Sequence, residues 1–267
     1  MALPLIELQG VQKSFATPKN AQQTLALDKV SLSIQEGEFV CLLGPSGCGK
    51  STVLNLLAGF ETADRGSVRF NGAPVNGPGP ERGVVFQQPM LFPWLNVRDN
   101  VTFGPRMAGV PASEYGPQAE RYLRLVGLQG FEEHAPYQLS GGMRQRAALA
   151  RAWLPNPKAL LMDEPFGALD AQTRLMMQEL LTSVWERTGT TLLFITHDVD
   201  EAIALADRVL VMSARPGRIC AEWRIPFERP RAIEDLVADP RFGEIKSEVL
   251  KVVRHEARTA VALENAL

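Results

Sequence analysis

The sequence predicts an α/β fold built on a parallel sheet, and three observations carry that expectation. Four short apolar runs, Glu38 to Leu43, Arg82 to Phe86, Ala159 to Met162 and Thr191 to Ile195, each end in polar or turn residues, as strands buried on both faces do. Segments of helical period separate them, at Lys50 to Leu57, Gly141 to Trp153, Ala171 to Thr188 and Val199 to Ala206. Reactive residues gather at the carboxyl end of each run, the edge at which open α/β sheets bind ligands.

In chain order, Leu5 to Gln35 together with Gly66 to Asn71 alternates enough to suggest an antiparallel sheet packed beside this core. Ala16-Thr-Pro-Lys-Asn20 interrupts it as a polar loop. The stretch from Gln88 to Asn156 lacks strand runs and is broken by Pro89, Pro93, Gly104-Pro105 and Gly109-Val-Pro111, which makes it a helical insertion over about residues 88–156. Beyond about Ile225, Pro-punctuated segments lead to a last helix from Asp239 to about Glu256. The expected organisation is therefore one domain over 1–225 and a C-terminal appendage over 226–267, the latter either regulatory or only a packing element.

With 267 residues, 45% hydrophobic and 22% charged, the chain is large enough to bury a core and too apolar to be disordered. Its 28 basic and 30 acidic residues give a net charge of −2 and no global field for nucleic acid, which is not an expected partner. Runs such as Phe39 to Leu43 fall far short of the roughly 18–20 apolar residues of a membrane-spanning helix. The start, Met-Ala-Leu-Pro-Leu-Ile-Glu7, has no basic region of the kind a secretory or transit signal carries, so the chain is expected to stay where it is made. Cys41, Cys48 and Cys220 are an odd set without metal-ligand spacing, which fits a reducing cytosol.

The chemistry begins at Gly44-Pro45-Ser46-Gly47-Cys48-Gly49-Lys50-Ser51, a match to the phosphate-binding P-loop pattern that lies between a predicted strand and a predicted helix. Backbone N–H groups of such a loop close around phosphate oxygens, and the helix N-terminus adds partial positive charge. Lys50 would reach the β- and γ-phosphates, and Ser51 would ligate Mg²⁺. Asp163-Glu164 follows a buried run, and adjacent carboxylates there are costly unless a cation or a nucleophile uses them; a metal-linked Asp163 and a water-activating Glu164 explain both, while Glu164 as a turn cap before Pro165 is the plainer alternative. His197 follows the last run and suits either a structural role or a nucleotide contact.

A second Gly-rich site, Leu139-Ser140-Gly141-Gly142-Met143-Arg144-Gln145-Arg146, opens an Ala-rich helix that Pro155 stops. Ser140 sits at the N-cap, and the bare glycines make a second anion site at a helix N-terminus, one that can face a nucleotide held by another molecule.

The P-loop, the segment Leu139 to Arg146 and Asp163-Glu164-Pro165, in this order, resemble the ATP-binding subunit of an ABC transporter, over nearly the whole stretch from Ile6 to Ile219. The resemblance implies a P-loop NTPase (RecA-like) core with an antiparallel β subdomain and a helical insertion, binding ATP and Mg²⁺. It implies ATP contacts from Gly44 through Ser51 and Thr52, and a signature of Ser140, Gly141 and Gly142 acting on ATP across a dimer. It makes Glu164 the base for the attacking water, His197 the switch histidine at the γ-phosphate, and Asp170 of Gly167-Ala-Leu-Asp170 the D-loop aspartate. Gln87 becomes the Q-loop glutamine, coupling the nucleotide to the membrane subunit and, with Ser51 and Asp163, holding Mg²⁺. Phe15 falls where the family places an aromatic that stacks on adenine, with a core position as the alternative, and Met143 stands where the signature often has glutamine.

The implied partners are a second copy paired head to tail, membrane permease subunits, and a periplasmic or lipid-anchored solute-binding protein, with this chain at the cytoplasmic face of the cell membrane. The apolar segment Pro89-Met-Leu-Phe-Pro-Trp94-Leu is the expected permease contact if exposed and a buried turn otherwise. Gly77-Pro-Gly-Pro-Glu-Arg-Gly83, Leu91 to Val101 and Ser213-Ala-Arg-Pro-Gly-Arg218 resemble the ATPases of nitrate, sulfonate and taurine importers, the first leaning toward taurine. A nitrate or other small-solute importer ATPase, a non-transport ABC ATPase and a P-loop kinase are the competing readings, though a kinase has no use for Leu139 to Arg146.

Overall fold

The computed structural model describes residues 3–16, 23–231 and 233–264. The elements in chain order are β1 (Ile6–Ala16), β2 (Gln23–Ile34), β3 (Phe39–Leu43), α1 (Lys50–Ala58), β4 (Arg65–Phe70), β5 (Ala73–Pro74), β6 (Arg82–Val85), α2 (Val97–Met107) and α3 (Ala112–Leu125). A 3-10 turn, Pro136–Gln138, then precedes α4 (Gly141–Trp153), β7 (Ala159–Asp163), α5 (Ala171–Thr188), β8 (Thr191–Ile195), α6 (Val199–Leu205), β9 (Arg208–Met212), β10 (Ile219–Arg224), α7 (Ile233–Ala238) and α8 (Pro240–Glu264). They fall into two compact units, residues 1–78 with 191–267, and residues 79–190.

In the first unit an antiparallel sheet runs in the order β2-β1-β4-β5. β1 pairs with β2 from Ile6 opposite Ile34 to Ala16 opposite Gln23, with register shifts along the way. In the other sheet of this unit β3 lies between β8 and β9, parallel to both, and β10 closes antiparallel on β9. Every residue of β3, β8 and β9 is buried, which is why they read as unbroken apolar runs and not as alternating ones. In the second unit β6 pairs in parallel with β7. Val97, Val101, Leu123, Leu139, Ala147 and Leu154, from α2 through the end of α4, share a helical core there.

Helix boundaries follow local chemistry. Ser140, Asp170 and Asp198 cap α4, α5 and α6, each accepting first-turn N–H groups, and Gly189 ends α5 in the left-handed conformation at φ 62°. α4 and α5 occupy the ranges expected for them. β9 and β10 were not anticipated, although Val209-Leu-Val-Met212 is an apolar run of the same kind as the others and β10 alternates between half-buried and exposed residues. α7 was likewise missed, and α8 continues two turns past Glu256, because Ala257 to Leu263 contains no Gly or Pro to stop it. The polar loop expected from Ala16 to Asn20 lies, beyond Ala16, outside the described residues.

Candidate functional site

The first unit carries the Gly-rich loop. β3 ends at Leu43, and Gly44–Ser51 turns the chain into α1, whose N-cap Gly49 has φ 106°. A side chain there would be strained and would meet Leu27 of β2, its first carbon 2.6 Å from Leu27 Cδ2. Lys50 is buried, and its Nζ donates to the carbonyls of Gly44 at 2.9 Å and Pro45 at 3.0 Å. Its charge is thus held on loop carbonyls, a position from which an ammonium can exchange them for phosphate oxygens. Ser46, Gly47 and Ser51 are exposed, Pro45 and Thr52 half-buried. Cys48 is only 1% exposed, and burial pushes its thiol up from the usual range. The thiol is therefore a poor target for reagents despite its place in the loop.

His197 stands exposed between β8 and α6. The Thr196 hydroxyl beside it donates to the buried Glu201 carboxylate and accepts the Asp198 N–H at 3.0 Å, which fixes the backbone on both sides of the histidine. Phe15 is on the surface, 38% exposed near the end of β1, with the Lys13 ammonium 5.2 Å from its ring centroid. The core position is not the one it occupies.

The second unit carries the carboxylates. Asp163 ends β7, and Glu164 follows with φ 43°, a left-handed conformation uncommon for a residue with a side chain and concentrated at functional sites. Glu164 and Gln87 converge on the bare face of Gly167: a Cβ there would lie 3.6 Å from Glu164 Oε2 and 3.8 Å from Gln87 Nε2. Gln87 is exposed and Asp163 and Glu164 are half-buried, so the cluster opens to solvent.

The same unit carries the second Gly-rich segment. Ser140 Oγ accepts the Met143 N–H at 3.2 Å, while Gly141 and Gly142 add no side chain of their own to the helix end. Asp170 caps α5 through the Thr173 N–H at 2.9 Å and accepts the Thr173 hydroxyl at 2.7 Å, bonds that hold its carboxyl below the usual aspartate range. Thr173, which sequence reasoning passed over, presents its methyl to Gly142: a Cβ at Gly142 would stand 2.9 Å from Thr173 Cγ2. The cap of α5 and Gly142 therefore meet on one side chain.

Two further residues were missed. Asn100 is fully buried and holds the segment after Gln87, donating to the carbonyls of Phe92, Leu95 and Asn96 at 3.1, 3.1 and 2.9 Å and accepting the Phe92 N–H at 2.7 Å. Arg151 donates to the carbonyls of Met90 and Pro89 at 2.8 and 3.0 Å and lies 5.6 Å from the Phe92 ring centroid. So anchored, the segment exposes Trp94 to 75% and Met90 to 59%.

The phosphate-type loop, the strained glutamate after a buried strand and the Ser-capped glycine pair are the parts of an ATP-binding cassette. A family model described as "ABC transporter" matches residues 27–167. The chain belongs to the ABC transporter family. It is 47% identical over 251 residues to the taurine import ATP-binding protein TauB of Jannaschia sp. (strain CCS1), with 93% of each chain covered. Its fold is similar to that of MJ0796, a bacterial ABC transporter cassette solved as a dimer, with a TM-score of 0.74 at 33% identity over 84% of this chain and 100% of that one. The same cassette in a post-hydrolysis state, bound to ADP and Pi, gives 0.73 at 32% identity with the same coverage.

Proposed function

We propose that this chain is the ATP-hydrolysing subunit of an importer for taurine or a related sulfonate. The observation that carries the reading is its 47% identity, over 93% of both chains, to a taurine import ATP-binding protein. The site chemistry supports the ATPase half of it. Gly44 to Thr52 hold the phosphates of ATP, with Lys50 transferring its charge from loop carbonyls to phosphate oxygens, and Phe15 stacks on the adenine. Glu164 accepts a proton from the water that attacks the γ-phosphorus, the bond to the β-phosphate oxygen breaks, and ADP and phosphate are released. His197, exposed at the end of β8, contacts the γ-phosphate. Ser140, Gly141 and Gly142 of a second copy supply their N–H groups to the same phosphates, and Asp170 supports them through Thr173.

Mg²⁺ fits this donor set. Among the described residues no group of three or more His, Cys, Asp or Glu side chains is placed to hold a metal. Mg²⁺ needs none, since one or two protein oxygens with phosphates and waters complete its shell. Ser51, Gln87 and Asp163 offer a hydroxyl, an amide oxygen and a carboxylate oxygen. When bound, the ion neutralises charge building on the β- and γ-phosphates.

The partners follow from the same reading: a second copy head to tail, permease subunits that meet the exposed Met90 and Trp94, and a periplasmic or lipid-anchored solute-binding protein in the assembled complex. No described helix is long and apolar enough to cross a membrane; in this reading it is the permease that holds the chain at the cytoplasmic face. Reconstitution with the permease and binding protein tests the substrate: taurine is expected to stimulate ATP hydrolysis and uptake. Stimulation by nitrate and not by taurine or alkanesulfonates assigns the chain to the other importer branch.

A further inference from the structure

The segment Ser213 to Arg218, between β9 and β10, plays no part in the function set out above, yet it touches the P-loop twice. Arg215 Nη2 donates to the Gly47 carbonyl at 3.2 Å. Gly217 packs on the next residue so closely that a Cβ would stand 2.1 Å from the Cys48 carbonyl oxygen. Gly217 is itself fixed to β2, donating to the Ala26 carbonyl at 2.8 Å and accepting the Asp28 N–H at 3.0 Å. Arg218 pairs with Asp28, whose carboxyl the Gln12 amide and then Arg218 hold below the usual range. From the other side Glu256 of α8 accepts the Ala214 N–H at 2.9 Å. A continuous path of hydrogen bonds and one peptide link thus runs from the C-terminal helix, through Ala214 and Arg215, to Gly47.

The carbonyl of Gly47 and the N–H of Cys48 belong to one planar trans peptide group and point in opposite directions from it. A guanidinium on the oxygen therefore fixes where the N–H points. That N–H makes only a long, 3.4 Å bond to the Pro45 carbonyl, and it belongs to the run of loop donors that surrounds a phosphate. Arg215 is exposed, and its charge lies beside the cradle, where it favours an anion.

We infer that Arg215 is a positioning residue for the nucleotide cradle and that Glu256 seats it, so that the C-terminal helix sets the affinity of the P-loop for phosphate. The inference rests on the reading of Gly44 to Ser51 as the nucleotide site. The test uses the purified full-length chain, with ATP and ADP affinity by calorimetry and KM and kcat for ATP hydrolysis. Arg215→Ala is expected to weaken both nucleotides and raise KM about tenfold, the usual weight of a charge-assisted hydrogen bond, with kcat within about twofold and nucleotide-free melting unchanged. Arg215→Lys recovers most of the affinity, because an ammonium reaches the same carbonyl. Glu256→Ala shifts affinity the same way by about threefold and adds nothing in the Arg215→Ala background, since the two residues act in series.

Affinity within twofold of the parent for Arg215→Ala overturns the inference. So does a loss that accompanies a lower melting temperature and is not recovered by Arg215→Lys, the signature of a purely structural arginine. Additive effects of the two substitutions overturn the part given to Glu256. Lys50→Ala separates the levels: if it binds ATP like the parent, the P-loop reading itself fails, whereas its loss of binding beside an unchanged Arg215→Ala removes the role of Arg215 alone.

Discussion

Glu164 is held at φ 43° at the end of a buried strand, beside Gln87 on the open face of Gly167. A backbone so constrained aims a carboxylate at one place, which suits a base that must meet one water. Glu164→Gln keeps the shape and removes the basicity. It is expected to retain ATP binding, to lose at least about 100-fold in kcat, the usual weight of a general base, and to accumulate as a dimer in ATP by gel filtration. Turnover at the parent rate would remove Glu164 from the mechanism. Asn100 matters for a different reason: its buried amide makes four hydrogen bonds that hold Phe92 to Asn96 in place. Asn100→Leu strands those backbone groups and should cost about 2–3 kcal/mol in urea unfolding, with faster proteolysis between Pro89 and Leu95. The carboxylate pair Asp163-Glu164 after a buried run was legible in the sequence. The role of Asn100 was not, since its partners are backbone groups and leave no mark in the side-chain pattern.

At the scale of elements, α4 and α5 were read correctly from end to end because their caps are local. Ser140 and Asp170 each sit three residues before the N–H they accept, a distance any sequence pattern spans. The contact between these helices, Thr173 against Gly142, joins residues 31 apart and left no trace in the pattern. The cap of α5 makes a pH prediction. Asp170 titrates below its ordinary value of 3.8, chiefly through the Thr173 N–H and then its hydroxyl. A depressed folded pKa means that the cap's contribution is complete above the unfolded value and is lost as pH falls through the lower, folded one. Asp170→Asn should therefore melt with less dependence on pH below about 4 than the parent, with curves that converge as the acid is titrated. Equal acid sensitivity in the two proteins would place the titrating group elsewhere. β9 and β10 were missed although their patterns are plain, the one an apolar run and the other an alternation.

For the whole molecule, the apolar side chains that remain exposed are more telling than those inside. Trp94 and Met90 stand out to solvent on a segment that Asn100 and Arg151 hold firmly, which is the form of a preorganised contact surface and not of a loose loop. Trp94→Ser should leave the ATPase of the isolated chain within about twofold while reducing co-purification with the permease and solute-stimulated hydrolysis about tenfold or more, as loss of an interface aromatic does. Unchanged co-purification would direct attention to another face. The charge balance of the chain, net −2, adds no attraction of its own to an anionic membrane.

The sequence alone determined the strand-to-helix order around Gly44 to Ser51, the cap at Ser140, and the residue types of the candidate site, because each depends on neighbours within a few positions. Tertiary structure decided that Phe15 lies on the surface, that Cys48 is sealed inside its loop, and that Arg215 bonds to the P-loop while Glu256 bonds to the residue before it. Those outcomes depend on which distant segments fold against each other: Arg215 reaches Gly47 across 168 positions, and Glu256 reaches Ala214 across 42. Local propensity carries no information over such separations, whereas packing does.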